Sequence, residues 1–409
     1  MLRLILILSF FATIPYSVLG GESRLFRSLI GRSEVLRTRT IASINPERDV
    51  TKLPDLIAVA KHLAKNIEND DLVPHSTTRL LYLIGQFEHI SAEEVLIDLL
   101  DCPHPGLAMV CADSLGKNKR YGAIGALQQQ VERVEFSESY GFRFNLVRAL
   151  AQMEHPDAVE FLTELQQELD GQLHYQLQSA LDEVNVHHFF GDEERFEAWK
   201  QRDEKPKIER ESFFTASSKP ESLNRIAFET PQYYGIDIHA KRLMFIIDHS
   251  GSMKEYWGAY TRLARAKLEL VKAIKDLPED TEFAIAFYES SVRMWRDVLV
   301  QATEDNKLEA IKFVQKLGYG DRTNTYAALR NSLEFDQELE AVFLLTDGRP
   351  TTGQLTAPAQ IVPDIIHRNR FRHLNFNTVG IAVQGSTETF LRTLAEQTNG
   401  EFRQPDWQQ

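Results

Sequence analysis

From Lys241 onward the chain alternates short apolar runs with amphipathic stretches, and that alternation leaves few folds open. Residues 243–247, 283–287, 341–345 and 376–383 read as buried strands, while 263–277, 308–317, 326–333 and 388–397 carry apolar residues at helical spacing. Residues 292–295 and 401–403 read as edge strands, the second following the helix stop at Gly400. Strands apolar on both faces with helices between them predict a doubly wound α/β sheet. In such a sheet ligands sit beyond the carboxyl ends of the strands, so the residues after each strand are where chemistry is to be sought.

The first half of the chain is built on another period. Ile84, Leu115 and Leu150 mark three similar units. Leu80, Cys111 and Leu146 precede these anchors by one helical turn; Ala92, Ala123 and Ala158, then Leu96, Leu127 and Leu162, follow at constant offsets. A fourth unit on Leu177 and Leu181 keeps only part of the pattern. A helical hairpin cannot bury its apolar stripe alone, so neighbouring hairpins stack. The breakers Pro103, Pro105, Lys117-Asn118 and Pro156 fall where turns are needed. Residues 50–195 thus resemble short HEAT-like repeats, an α-solenoid; an irregular helical bundle is the alternative.

Residues 196–240 read as a charged, Pro- and Ser-containing linker with a Tyr233-Tyr234-Gly235 collar against the domain that follows. Residues 1–20 read as a secretory signal: Arg3, an apolar run of eleven residues from Leu4 to Ile14, then Val18-Leu19-Gly20. The expectation is an exported protein, periplasmic, cell-surface or secreted, with no membrane span in the mature chain; an uncleaved N-terminal anchor is the alternative. A net charge of −13 argues against a nucleic-acid partner. Two cysteines, Cys102 and Cys111, match no zinc spacing, and a buried free thiol is preferred to a bridge at Cys111 because it takes an apolar repeat position.

The chemistry-bearing residues gather at three predicted strand ends. The first strand runs into Asp248-His249-Ser250-Gly251-Ser252, a D-x-S-x-S pattern. One carboxylate and two hydroxyls are hard oxygen donors, suited to magnesium, calcium or manganese. Gly251 is expected to permit the sharp turn that lets both serines face one point. Thr323 follows Gly320-Asp321-Arg322 ahead of a helix, and Asp347 follows another strand within Thr346-Asp347-Gly348. Two acids converging at neighbouring strand ends need a counter-charge.

With these three loops in this order, residues 241–405 closely resemble a von Willebrand factor A domain. The resemblance implies a Rossmann-like sheet of about six strands and a metal-ion-dependent adhesion site on Asp248, Ser250, Ser252, Thr323 and Asp347. It further implies a divalent cation, magnesium first with calcium or manganese as alternatives, and an open position for an Asp or Glu carboxylate of a protein partner. The triplet before Thr323 departs from the Gly-Gly pattern frequent in the family. Arg322 either holds the ligand's carboxylate or points to solvent, the second being preferred. Helical repeats ahead of such a domain resemble exported proteins of planctomycete-type bacteria, a likeness of architecture only.

Other candidates are weaker. His187-His188 near Asp192 reads as a solvated surface, and His249 as an exposed, variable position. Tyr256, Trp257 and Tyr260 either rim the binding face or pack the first helix. The chain has no G-x-S-x-G elbow, phosphate loop or H-E-x-x-H helix, so no catalytic or organic-cofactor residues are assigned. The reading is a binding or assembly protein. A solenoid scaffold with a purely structural metal, or an accessory subunit of an exported enzyme, are the alternatives.

Overall fold

The computed structural model describes residues 23–68, 72–185 and 230–406. The signal segment, the His187-His188 pair and residues 196–229 of the linker lie outside the described residues. Helices α1 (Arg24–Ile30), α2 (Glu34–Ala42), α3 (Leu53–Asn66), α4 (His75–Gly85), α5 (Ile90–Asp98), α6 (Pro105–Lys117), α7 (Ile124–Gln129), α8 (Val134–Glu138), α9 (Tyr140–Met153), α10 (Pro156–Leu165) and α11 (Gly171–Asn185) share one apolar core that reaches back to Leu29. All twelve repeat positions are buried, with Ile84, Leu115 and Leu150 fully so. The first helices of successive units, α4, α6 and α9, lie side by side; α5, α7 and α10 return behind them. Small residues set the spacing: a Cβ at Gly116 would lie 2.5 Å from the Ala149 carbonyl oxygen of the neighbouring helix. Pro105 and Pro156 each occupy the first turn of a helix, where the missing N–H has no intrahelical partner to lose.

The second layer system is a mixed sheet of seven strands. It comprises β3 (Arg242–Asp248), β6 (Glu282–Tyr288), β7 (Val292–Met294), β8 (Val300–Gln301), β9 (Ala341–Thr346), β10 (Asn375–Gly380) and β11 (Phe402–Arg403). The order is β11-β10-β9-β3-β6-β7, with β8 also on β6. Strands β11, β10, β9, β3 and β6 are parallel, whereas β7 and β8 run antiparallel to β6. Side chains of β3 divide by parity: Leu243, Phe245 and Ile247 join α12 (Arg262–Asp276) and α13 (Glu304–Gln315) on one face. Met244 and Ile246 join α14 (Thr325–Phe335), α15 (Pro358–Asn369) and α16 (Ser386–Glu396) on the other.

The hairpin of β1 (Gln232–Tyr233) and β2 (Ile236–Asp237) seats Tyr233, fully buried, edge-on against Phe245 and Phe343. A second small hairpin, β4 (Tyr256–Trp257) with β5 (Tyr260–Thr261), follows the first strand. Strand β10 ends at Gly380, short of the expected 383: Ile381 N still bonds Thr346 O, but Ala382 takes a left-handed φ of 53° and turns the chain out of the sheet.

The helical array packs on the sheet domain at the amino ends of its strands. Tyr140 N donates to Gln337 O at 3.1 Å, Arg143 pairs with Glu338 at 2.7 Å, and Gln172 N donates to Glu340 at 2.7 Å. Tyr175 stacks on His239 at 3.6 Å between ring centres. The opposite, carboxyl ends of the strands remain clear of this contact.

Candidate metal centre

Strands β3 and β9 are neighbours in parallel register, so Asp248 and Asp347 emerge side by side at the carboxyl edge. Asp248 is fully buried. Its Oδ1 accepts from Ser250 N at 2.8 Å and its Oδ2 from Thr346 Oγ1 at 2.6 Å. The chain of oxygens continues outward: Ser250 Oγ and Ser252 Oγ lie 3.2 Å apart, and Ser252 Oγ donates to Asp347 Oδ1 at 2.7 Å. Four of the five expected residues are therefore joined by one hydrogen-bonded network, which runs through the Ser250 backbone N–H and the two serine hydroxyls.

Thr323 is brought in by its backbone. Its loop is pinned from both sides: Gly251 N donates to Asp321 O and Gly320 N to His249 O, while Thr323 N donates to Thr351 Oγ1 at 2.9 Å and Thr351 N returns a bond to Thr323 O at 2.8 Å. Thr323 is 4% exposed. Gly251 has no left-handed φ. It permits a close approach at the turn, since a Cβ there would sit 3.1 Å from the Asp321 carbonyl oxygen.

Burial pushes the Asp248 carboxyl up to about 6, and the nearby Asp347 charge pushes the same way, against the pull of Thr346 and Ser250. The two carboxylates thus stand in mutual conflict beside three hydroxyl-bearing residues. A hard divalent cation would relieve that conflict, so the donor set fits such an ion. It is not a cluster of acids: among the described residues no three His, Cys, Asp or Glu side chains gather into a metal-holding group.

Several partners of this site were not foreseen. Thr346 anchors Asp248, although the sequence reading singled out only Asp347 from that turn. Arg262, at the start of α12, donates Nη1 to Asp347 Oδ2 at 2.8 Å and pairs with Glu255 at 2.7 Å. The cation beside the site is thus Arg262, whereas Arg322 is exposed. An arginine ten residues beyond Ser252, on the helix that follows, carries no local signal. His249 is half-buried rather than exposed, with Nδ1 at 3.1 Å from Gly318 O. Tyr256 and Tyr260 are 78% and 49% exposed, whereas Trp257 is partly covered and packs on the core beneath.

The family model described as von Willebrand factor type A domain matches residues 241–403. That segment is a von Willebrand factor type A domain. The chain is 29% identical along 167 residues to human von Willebrand factor A domain-containing protein 3B, covering 40% of this chain and 12% of that protein. It is 28% identical along 141 residues to mouse inter-alpha-trypsin inhibitor heavy chain 4, covering 32% of this chain and 14% of that one. The chain therefore spans only a small part of the curated relatives it matches. Among solved structures, a von Willebrand factor type A protein from Catenulispora acidiphila aligns over 42% of this chain and 40% of its own at 20% identity, with a TM-score of 0.35. Proximal thread matrix protein 1 from the mussel byssus, solved with a zinc-occupied MIDAS motif, aligns over 40% and 43% at 15% identity, with a TM-score of 0.33.

Proposed function

We propose that this is an exported binding or assembly protein whose type A domain captures an acidic side chain of a protein partner through a divalent cation, magnesium first among the candidates. The observation that carries the reading is the hydrogen-bonded run from Asp248 through the Ser250 backbone and the Ser250 and Ser252 hydroxyls to Asp347, at the end of the sheet away from the helical array. Asp248, Ser250, Ser252, Thr323 and Asp347 would hold the ion, which supplies a Lewis-acidic position for the partner's carboxylate. The residues of the chain divide the remaining work. Thr346 keeps the Asp248 carboxylate oriented. Arg262 neutralises part of the Asp347 charge, which leaves the site more attractive to an incoming anion than two unpaired carboxylates would be. Tyr256 and Tyr260 offer exposed aromatic area to a partner beside the site. Kinship with the inter-alpha-trypsin inhibitor heavy chains supports a role in interaction between proteins rather than catalysis.

The test is calorimetry with magnesium, calcium and manganese on wild type, Asp248→Ala and Thr323→Ala, followed by capture of partners from surface and periplasmic extracts with and without chelator. Asp248→Ala should abolish both ion and partner binding, and Thr323→Ala should weaken capture. Wild-type capture by Asp248→Ala in chelator would reject metal-mediated recognition and move it to the helical array.

A further inference from the structure

At the amino ends of the strands, opposite the candidate metal centre, the helical array and the type A domain line a half-open cavity of about 280 Å³. Helices α4, α6 and α9 form one wall; the end of α15, residues 370–374 and residues 397–399 form the other. No residue of the metal centre lines it.

Its charge is unbalanced. Lys117, Arg148 and Arg370 face a single carboxylate, Asp113. That carboxylate has charge partners of its own: Arg148 lies 2.8 Å from it, Lys117 3.0 Å, and the Tyr82 hydroxyl donates to it. Arg370 gives Nη2 to the Val73 carbonyl and, among the described residues, pairs with no acid. Burial without an opposing charge draws its guanidinium below the usual arginine range. Among the lining residues four atoms are buried and without a hydrogen-bond partner: the nitrogens Arg148 Nε, Arg370 Nε and His373 Nε2, and one acceptor, Asp113 Oδ1. Buried polar atoms without partners are uncommon, and here three nitrogens from two domains lie around one cavity. His373 is moreover held at a left-handed φ of 51°, which a non-glycine residue adopts only when its surroundings enforce it. Its ring stacks on Phe144 at 4.6 Å. Burial lowers the ring's pKa to about 3, so it is neutral at physiological pH, with one ring nitrogen bearing a proton to donate. Met109, Ile366 and Leu374 supply apolar wall beside these donors.

We propose that this cavity binds a small organic anion, its carboxylate head held by Arg370, Arg148 and His373 and its apolar body against Met109, Ile366 and Leu374. Since Arg148 and Met109 belong to the array and the other residues to the type A domain, the ligand bridges the two and tightens their docking.

The probes are straight-chain monocarboxylates from acetate to octanoate, with inorganic phosphate as an anion lacking an apolar body, titrated into the full chain by calorimetry. Binding should be saturable and strengthen by about fourfold per buried methylene. Phosphate should bind about tenfold more weakly than the best carboxylate, and Arg370→Gln should lower carboxylate affinity by about tenfold or more. Because Arg370 also bonds Val73, a second readout uses the unaltered sequence: the His373 ring ¹⁵N and ¹H resonances should shift during the octanoate titration with the calorimetric midpoint. Absence of saturable carboxylate binding, phosphate binding as tight as octanoate, or unmoved His373 resonances would each overturn the proposal.

Discussion

Gly141 stands in the first turn of α9, and its substitution by alanine measures how closely the helical array is pressed on the type A domain. In an isolated helix the change should help, by up to ~1 kcal/mol, because glycine is the poorer helix former. Here the added Cβ would lie 2.1 Å from the Phe371 carbonyl oxygen, 3.0 Å from its carbon and 3.1 Å from Arg372 Cα. Ordinary contacts between such atoms are ~3.5 Å or more, so the surfaces must part by roughly 1 Å. The obstacle is backbone, not a side chain that can rotate away. Overpacking of this kind costs ~1–3 kcal/mol, enough to outweigh the helix gain. Gly125→Ala is the matched control, since nothing lies within 4 Å of its added Cβ. Urea denaturation of the full chain should show Gly141→Ala less stable than wild type by ~1–2 kcal/mol and Gly125→Ala unchanged or slightly more stable. Hydrogen exchange should also quicken at the Tyr140 amide, whose bond to Gln337 O spans the same contact. If Gly141→Ala matches the control and the Tyr140 amide stays protected, the two domains do not meet there and the argument fails.

Three further outcomes follow from buried polar groups. Burial raises the Glu340 carboxyl from 4.5 to about 7 despite Arg242 and two backbone N–H groups. The folded state therefore keeps a proton that the unfolded chain releases: the contribution is whole below about pH 4.5 and is lost as pH rises through 7. Glu340→Gln should flatten a decline of up to about 3 kcal/mol between those limits, and denaturation profiles of equal slope would refute this. Arg262→Ala leaves Asp347, whose side chain is buried, without its counter-charge, and should cost about 3 kcal/mol in chelator. Magnesium should restore part of that loss, so the gap in melting temperature between magnesium and chelator should widen; an unchanged gap argues against an ion at this site. Cys102 and Cys111 are both free and buried, so thiol reagents should leave the native protein unlabelled and modify both after denaturation without reductant. A protected pair in the denatured chain would show a bridge instead.

The two halves of the chain were legible from sequence for different reasons. In the array, burial repeats with the helical period, and every anchor the spacing selects is in the core. In the type A domain, β3, β6 and β9 are apolar on both faces because helices cover both, and their ends coincide closely with the apolar runs. Helix α15 escaped because Pro363 sits inside it, a residue that local propensity counts as a breaker. Burial of Ile361, Val362 and Ile365 against the sheet outweighs that cost. The hairpin β4–β5 escaped because two-residue strands have no periodicity to detect.

By itself the sequence determined which residues become strand ends, and therefore that Asp248 ends a strand and Ser250, Ser252, Thr323 and Asp347 occupy loops at the carboxyl ends of the parallel strands. Connectivity and hydrophobic period are local properties, and they suffice for that. Tertiary structure alone decided which charges meet. Arg262 rather than Arg322 reaches Asp347, Thr346 holds Asp248, and Arg370 and His373 line a cavity with Arg148 from more than two hundred residues away. These pairings depend on how separate elements pack in space, and an ion pair or a shared cavity between distant positions leaves no period in the chain that makes it.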